Sequence, residues 1–400
     1  MAGGNPLGGV IRMNSNATIN VAEPLVADRA NRSRNNGVDF AIATSADDPE
    51  IRQLLRSNPM GGQISISLER EPDYFRDANL PDERKQTIVA RKSGRPVCVG
   101  NCTTRLRYIN GEPRCVGYLA GLRLDAGASG RFDIVRRGYE FFREIQADSP
   151  ADFYFTSIAA DNLRARKFLE GNVRGMPRYE PIGDFVTLLL PTQKAFVERG
   201  RPAQVEALTA SDISEIASQL NQQSREYQLS PHWTENQLRA LTALGLPANA
   251  FAQLTNSEMP VFAALWDQRD FKQTVIRGYT PFLKWSRPLL NLTAGLGGWS
   301  NLPPVGATLR NAFVSHVACA PSQTGDLLSV IAHFASIAVG NGIEFLTLGF
   351  AVDDPRFAAV RRQFRCREYH SRVYTVSWPG IGSSAEFLDR RCLAPEVALL

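Results

Sequence analysis

Residues 127–131, Gly-Ala-Ser-Gly-Arg, stand just ahead of an amphipathic run, and their types suit one kind of chemistry. Small side chains let an anion approach the unpaired N–H groups of a helix start, where the dipole also favours negative charge. Arg131 adds a cation at the end of this turn, suited to a charge-assisted phosphate contact. Asp133 places a carboxylate in the same first turn, so a capped helix after an ordinary turn is the alternative reading. Other reactive types are sparse. Cys98 and Cys102 are the one close cysteine pair, with no second pair at zinc spacing. His232, His316, His333 and His370 form no His-Glu-x-x-His pattern. No metal ion is expected.

The elements that must hold this turn follow from periodicity. Val135, Tyr139, Phe142 and Ile145 recur at helical spacing after it. Before it, QISISLE, QTIVARK, PVCVG and RCVGYLAGLRLD alternate as strands, and IRQLLRSN reads as a short helix. After it come a strand (DFYFTSIAA), a short helix (LRARKFLEG) and a strand hairpin (RYEPIGDFVTLLLP). This order gives an α/β fold with a mixed sheet.

The chain has 400 residues, of which 44% are hydrophobic and 21% charged, with a net charge of +5. Such a length predicts two or three domains. Residues 1–38, rich in Asn and Gly, read as a mobile arm, and a break at 191–203 separates a unit at 39–195 from one at 203–400. Basic residues are scattered, so nucleic acid is not the expected partner. No apolar run reaches the length of a membrane span, and no signal segment opens the chain. No membrane partner and a cytoplasmic location are the expectations. A shift of 192 positions sets Phe153 on Phe345, Ala159 on Ala351, Asp161 on Asp353 and Arg164 on Arg356. The same shift lays the helix at 132–145 over TGDLLSVIAHFASI, so the two units are expected to be copies of one αβ domain. The stretch from Thr280 to Thr308, with Trp285 and Trp299, reads as a long Pro/Gly-rich loop of the kind that covers a cleft.

GYLAGLRLD, GASGRFDIVRRGYEFF and TSIAADNLRARKFLEG resemble the strand, turn, helix and Asn-x-x-Ala segments of the GCN5-related N-acetyltransferase (GNAT) superfamily. The second unit resembles it through element order and the repeat. The resemblance implies two tandem GNAT-like acyl-CoA N-acyltransferase domains. It implies that acetyl-CoA or another acyl-CoA is co-substrate, bound by the first unit. Amides near Leu122 and Leu124 would meet the pantetheine arm, Ser129, Gly130, Arg131 and Phe132 would form the pyrophosphate turn, and Asn162 would help hold the arm. An amide aimed at the acyl carbonyl would stabilise the charge that develops there. At the family's proton-donating tyrosine this chain has Leu169, so Tyr179, expected to open the hairpin beside the cleft, is the candidate acid. Glu71, in LEREPDYF, is the candidate base. In the second unit Asp354 replaces the motif asparagine and Pro321 enters the turn, so its motifs are degenerate.

The function expected is N-acyl transfer from acyl-CoA to an amine of a small molecule or peptide. Two alternatives stay open: a transferase of this fold that takes an aminoacyl group from tRNA, and a non-catalytic acyl-CoA-binding or scaffold protein.

Overall fold

The computed structural model describes residues 37–128, 132–171, 173–192, 205–254, 261–297, 301–380 and 382–400. The expected arm at 1–38 falls almost wholly outside them, as does most of the break at 191–203.

In the first half, β1 (Val38–Ile42) leads into α1 (Asp48–Ser57) through a reciprocal cap in which Thr44 and Asp47 satisfy each other's backbone. Ile51, Leu54 and Leu55 form the buried face of α1. β2 (Ile64–Glu69) follows, then β3 (Arg84–Lys92), β4 (Arg95–Ile109) and β5 (Glu112–Leu124). Ser93-Gly94 and Asn110-Gly111 make the two tight turns between the last three strands, with positive φ at all four residues, as two-residue hairpins require. α2 (Phe132–Gln146) buries Ile134, Val135, Phe141 and Phe142. β6 (Phe153–Ala159), α3 (Leu163–Leu169) and β7 (Arg178–Pro191) complete this half.

The second half repeats the order with insertions. β8 (Val205–Ala207) leads to α4 (Ile213–Ser224) through a second such cap, Thr209 with Asp212, and α5 (Glu235–Ala240) is added. Then come β9 (Phe251–Leu254), β10 (Val261–Trp266), β11 (Gln273–Tyr279), α6 (Pro281–Gly297) and β12 (Asn311–Ala318). α7 (Thr324–Gly340), β13 (Phe345–Ala351), α8 (Pro355–Gln363) and β14 (Arg367–Ser377) close it.

Twelve strands form one sheet in the order β1-β3-β4-β5-β6-β14-β7-β13-β12-β10-β9-β8, while β2 and β11 pair separately. The order reads the same from either edge once each strand is replaced by its repeat counterpart. At the centre the halves exchange their last strands: β14 pairs with β6 through Ser371–Thr375, and β7 pairs with β13 through Phe185–Pro191. The expected hairpin at 178–191 is therefore a single strand, since its partners are β14 and β13 rather than its own sequence. α7 buries Leu327, Val330, Ile331 and Phe334 against strands of both halves, including Val186 and Leu188 of β7. A second cluster shared by the halves joins Tyr118, Phe155, Phe185, Val373, Leu393 and Val397. The stretch expected as a loop at 280–308 contains α6, and Trp299 lies outside the described residues.

Candidate functional site: two forks in one sheet

β5 and β6 are parallel neighbours only where Val116–Tyr118 meet Phe153–Phe155. Beyond that, β5 runs on to Leu124 and β6 to Ala159, and the two separate into a fork. The root is bridged by the Thr156 hydroxyl, which donates to Leu119 O at 2.7 Å. The cause of the separation is local. Asn101 faces Ala120 and Val99 faces Arg123, so β5 carries one extra residue between them. That is a β-bulge, which bends and twists the strand that contains it. Gly121 makes it with φ +65°, and a Cβ there would lie 2.5 Å from Asn101 Nδ2.

The residues expected to hold a cofactor collect around this fork. Leu122 sits in the bulge and is exposed, and Leu124 packs with Cys98 and Ala128. Ser129, Gly130 and Arg131 lie outside the described residues. Phe132 opens α2, mostly exposed, with its ring stacked on Phe168 of α3 at 4.6 Å. Asp133 is paired with Arg136 at 2.7 Å. Asn162 caps α3, its side-chain oxygen accepting Ala165 N–H at 3.1 Å.

The residues expected to move protons stand elsewhere. Tyr179 is buried under α2 in a cluster with Tyr374 and Trp378, and its hydroxyl is hydrogen-bonded to that of Tyr139. Burial, with Tyr139 beside it, raises its pKa well above that of an ordinary phenol. The expectation that it borders the cleft fails because β14 stands between β6 and β7. Tyr179→Phe is expected to leave turnover within about threefold of the parent and to cost about 1 kcal/mol of stability through the Tyr139 hydroxyl. Steady-state rates and thermal unfolding of that variant check this. Glu71 accepts from Arg52 on one carboxylate oxygen and from Arg56 on the other, and its backbone N–H donates to Gln273 Oε1 at 2.9 Å. It ties α1 to the β2–β11 pair, with both carboxylate oxygens engaged by arginines.

The second half builds the same fork. β12 and β13 pair only at Asn311–Phe313 with Phe345–Thr347. Phe262 faces Ala318 while Ala264 faces Ser315, which puts an extra residue in β12, and His316 takes φ +52° in it. Here the fork is filled by the chain itself. Glu396 accepts the His316 N–H at 2.8 Å, and Val397 packs where Gly349 of β13 leaves room for it. A cavity of about 70 Å³ remains, lined by Tyr227, His316, Arg356 and Glu396. Burial pushes the His316 imidazole down to about 3, so it is neutral. Asp354, at the place of Asn162, caps α8 and pairs with Arg356 at 2.6 Å.

Periodicity overlooked the residues beneath the first fork. Arg107, fully buried, donates to Leu229 O and Pro395 O at 2.7 and 2.8 Å and lies over the Phe155 ring. Arg105 pairs with Glu83 at 2.8 Å and stacks on Trp233. Two arginines on one face of an apolar strand, Arg105-Leu-Arg107, were the available signal.

No protein-family model matches the sequence, and no curated protein matches it. Solved structures are similar in fold. N-myristoyltransferase of Saccharomyces cerevisiae with bound myristoyl-CoA is 10% identical, with a TM-score of 0.58 over 90% of this chain and 89% of that one. The same enzyme with myristoyl-CoA and inhibitors is 10% identical, with a TM-score of 0.55 over 86% and 81%. A GCN5-related N-acetyltransferase from Sphaerobacter thermophilus is 11% identical, with a TM-score of 0.49 over 87% and 98%. The chain shares the fold of the N-myristoyltransferase structures.

Proposed function

We propose that this chain is an acyl-CoA-dependent N-acyltransferase in which the first fork holds the acyl-pantetheine arm and the second is structural. The observation that carries this reading is the difference between the forks: one opens beside Leu122, and the other has its bulge amide taken by Glu396. Residues 39–195 and 203–400 are the two copies in this reading, with the first catalytic.

An open strand edge suits an amide-bearing arm, since main-chain groups can continue the ladder. The amides of Leu122 and Leu124 are the proposed partners of that arm and of the acyl oxygen. Ser129, Gly130, Arg131 and Phe132 are the proposed diphosphate contacts at the start of α2, with Asn162 setting the position of α3 beside them. The acceptor amine attacks the thioester carbonyl, the C–S bond breaks, and the thiol leaves with the proton balance closed through solvent. Tyr179, buried, and Glu71, half-buried, then serve as structural ties, and loss of either is not expected to abolish the reaction. Because the similar N-myristoyltransferase structures hold myristoyl-CoA, acyl chain length is part of the question.

Calorimetric titration with acetyl-CoA and myristoyl-CoA, followed by thiol release in the presence of amines, tests the reading. Binding of either thioester without turnover on any amine would favour a binding protein. Arg131→Ala is expected to weaken the bound thioester by about 10- to 100-fold, the loss of one charge-assisted phosphate contact. Equal affinity of that variant would remove Arg131 from the site.

A further inference from the structure

α6 presents an apolar face outward. Phe282, Trp285 and Leu292 are 79%, 85% and 78% exposed, with Leu289 between them at 65%. At 100° per residue these four fall within about 80° of arc, one continuous stripe. The opposite side of the helix is the one held to the fold. Arg287 lies over the Tyr279 ring, and Asn291 exchanges hydrogen bonds with Leu302 at 2.7 and 3.2 Å. Solvating four large apolar side chains together is unfavourable, and such patches mark interaction surfaces.

Basic charge on the other side of α6 and next to it indicates what covers the stripe. Lys284 is exposed on the same helix, and Tyr279 lies within electrostatic reach of both Arg287 and Arg367. Arg367 ends the run Arg-Arg-Gln-Phe-Arg-Cys-Arg at 361–367, which leads into β14 with four arginines in seven residues. Glu368, paired with Arg361 at 2.7 Å, is the acidic residue next to them. We propose that α6 and this basic run dock the protein on an anionic phospholipid bilayer, with the Phe282–Leu292 stripe in the acyl boundary and the arginines on the headgroups. Phe, Trp and Leu on one face with Lys284 and Arg287 on the other is the composition of a helix that lies in the interface, and Trp sits well at that depth. Among the described residues no helix is long and apolar enough to span a bilayer, so the contact is peripheral.

The placement bears on the first fork. Thr280, at the head of α6, donates its N–H to Gln63 O at 3.0 Å, and the neighbouring Gly62 comes up to Asp161, just past the end of β6. A protein docked through α6 brings the open end of the fork toward the membrane. The expectation of no membrane partner rested on the lack of a spanning run, which leaves a surface helix untouched.

Co-sedimentation of the full chain with vesicles of phosphatidylcholine alone, and of phosphatidylcholine with phosphatidylglycerol at three to one, tests the proposal. The parent is expected to partition onto the mixed vesicles at least about 10-fold better than onto neutral ones, and to be released by high salt. Trp285→Glu is expected to lower partitioning by about 10-fold or more with unfolding temperature unchanged, and Arg365→Gln with Arg367→Gln to erase the preference for phosphatidylglycerol. Parent protein that stays in solution, or a Trp285→Glu variant that binds like the parent, would overturn it. So would a parent dimer that becomes a monomer in Trp285→Glu, since a second copy would then be the occupant.

Discussion

Gly121→Ala is expected to lower turnover by about 10²-fold or more, the scale of losing one donor to a developing oxyanion, for a stability cost of only about 1–2 kcal/mol. Position 121 holds φ +65°, and a Cβ added there meets Asn101 Nδ2 at 2.5 Å. The strand escapes both penalties by flattening the bulge, which swings β5 back toward β6 and closes the fork where Leu122 is proposed to meet the acyl group. Asn101 offers a control. Its amide nitrogen contacts the Tyr74 hydroxyl at only 3.4 Å, so Asn101→Ala alone removes a weak bond. Combined with Gly121→Ala it clears the clash and leaves the φ cost, so partial recovery of turnover is expected in the double variant. Activity of Gly121→Ala at the parental level, with the parental unfolding temperature, would mean that the bulge does not position the reaction.

His316 shows why this feature was only half legible. A glycine inside an apolar strand is a visible sign of a bulge, and Gly121 carries it. Its counterpart in the second half is a histidine whose backbone takes the same sign of φ because its ring is packed among Trp233, Phe251 and Trp266, at 4.3, 5.5 and 5.8 Å. Packing of that kind has no local signature. The matching order of elements was readable: the 192-residue shift sets Phe132 on Thr324 and Phe153 on Phe345, each pair being the first residues of corresponding elements. The matching caps, Thr44 with Asp47 and Thr209 with Asp212, were further copies of the signal that went unused. What periodicity could not supply was pairing. β7 and β14 are central strands with consecutive buried residues, Phe185–Val186 and Val373–Val376, and nothing in either sequence says that it lies in the other half's lobe. Tyr179 was misplaced for that reason, and the fit of Glu396 into the second fork was invisible because it joins residues 80 positions apart.

The largest expected loss of stability lies in the long connection between β2 and β3. Asp77 accepts from Arg70 at 2.6 Å and from Lys85, and both cations also lie over the buried Tyr74 ring. Lys272, which donates to Leu400 O at 2.8 Å, is near enough that Arg70 and Lys85 help burial push its pKa down to about 7. One carboxylate therefore serves three cations from both halves of the chain. Asp77→Asn keeps the shape and removes the charge, which is expected to cost about 3 kcal/mol and about 3–6 °C in unfolding temperature. The pH dependence gives the test its edge. Burial alone would raise the Asp77 pKa, but Arg70 and Lys85 outweigh it and hold the carboxyl well below the usual range. Its contribution is thus full above the unfolded pKa of about 4 and is lost as pH falls through the folded value. Lys85 is lowered to about 8, chiefly by burial and then by Arg70. The folded chain therefore binds its proton less tightly than the unfolded one, and stability from this group rises with pH between about 8 and 10. Without Asp77 the lysine pKa falls further, so that rise begins earlier in the variant. The deficit of Asp77→Asn should then be greatest between about pH 4 and the variant's lowered lysine pKa, shrink below about pH 4, and shrink again as pH rises toward about 8, above which the two proteins gain stability in parallel. Calorimetric unfolding of both proteins across that range measures it, and a deficit flat with pH would mean that Asp77 acts through shape rather than charge.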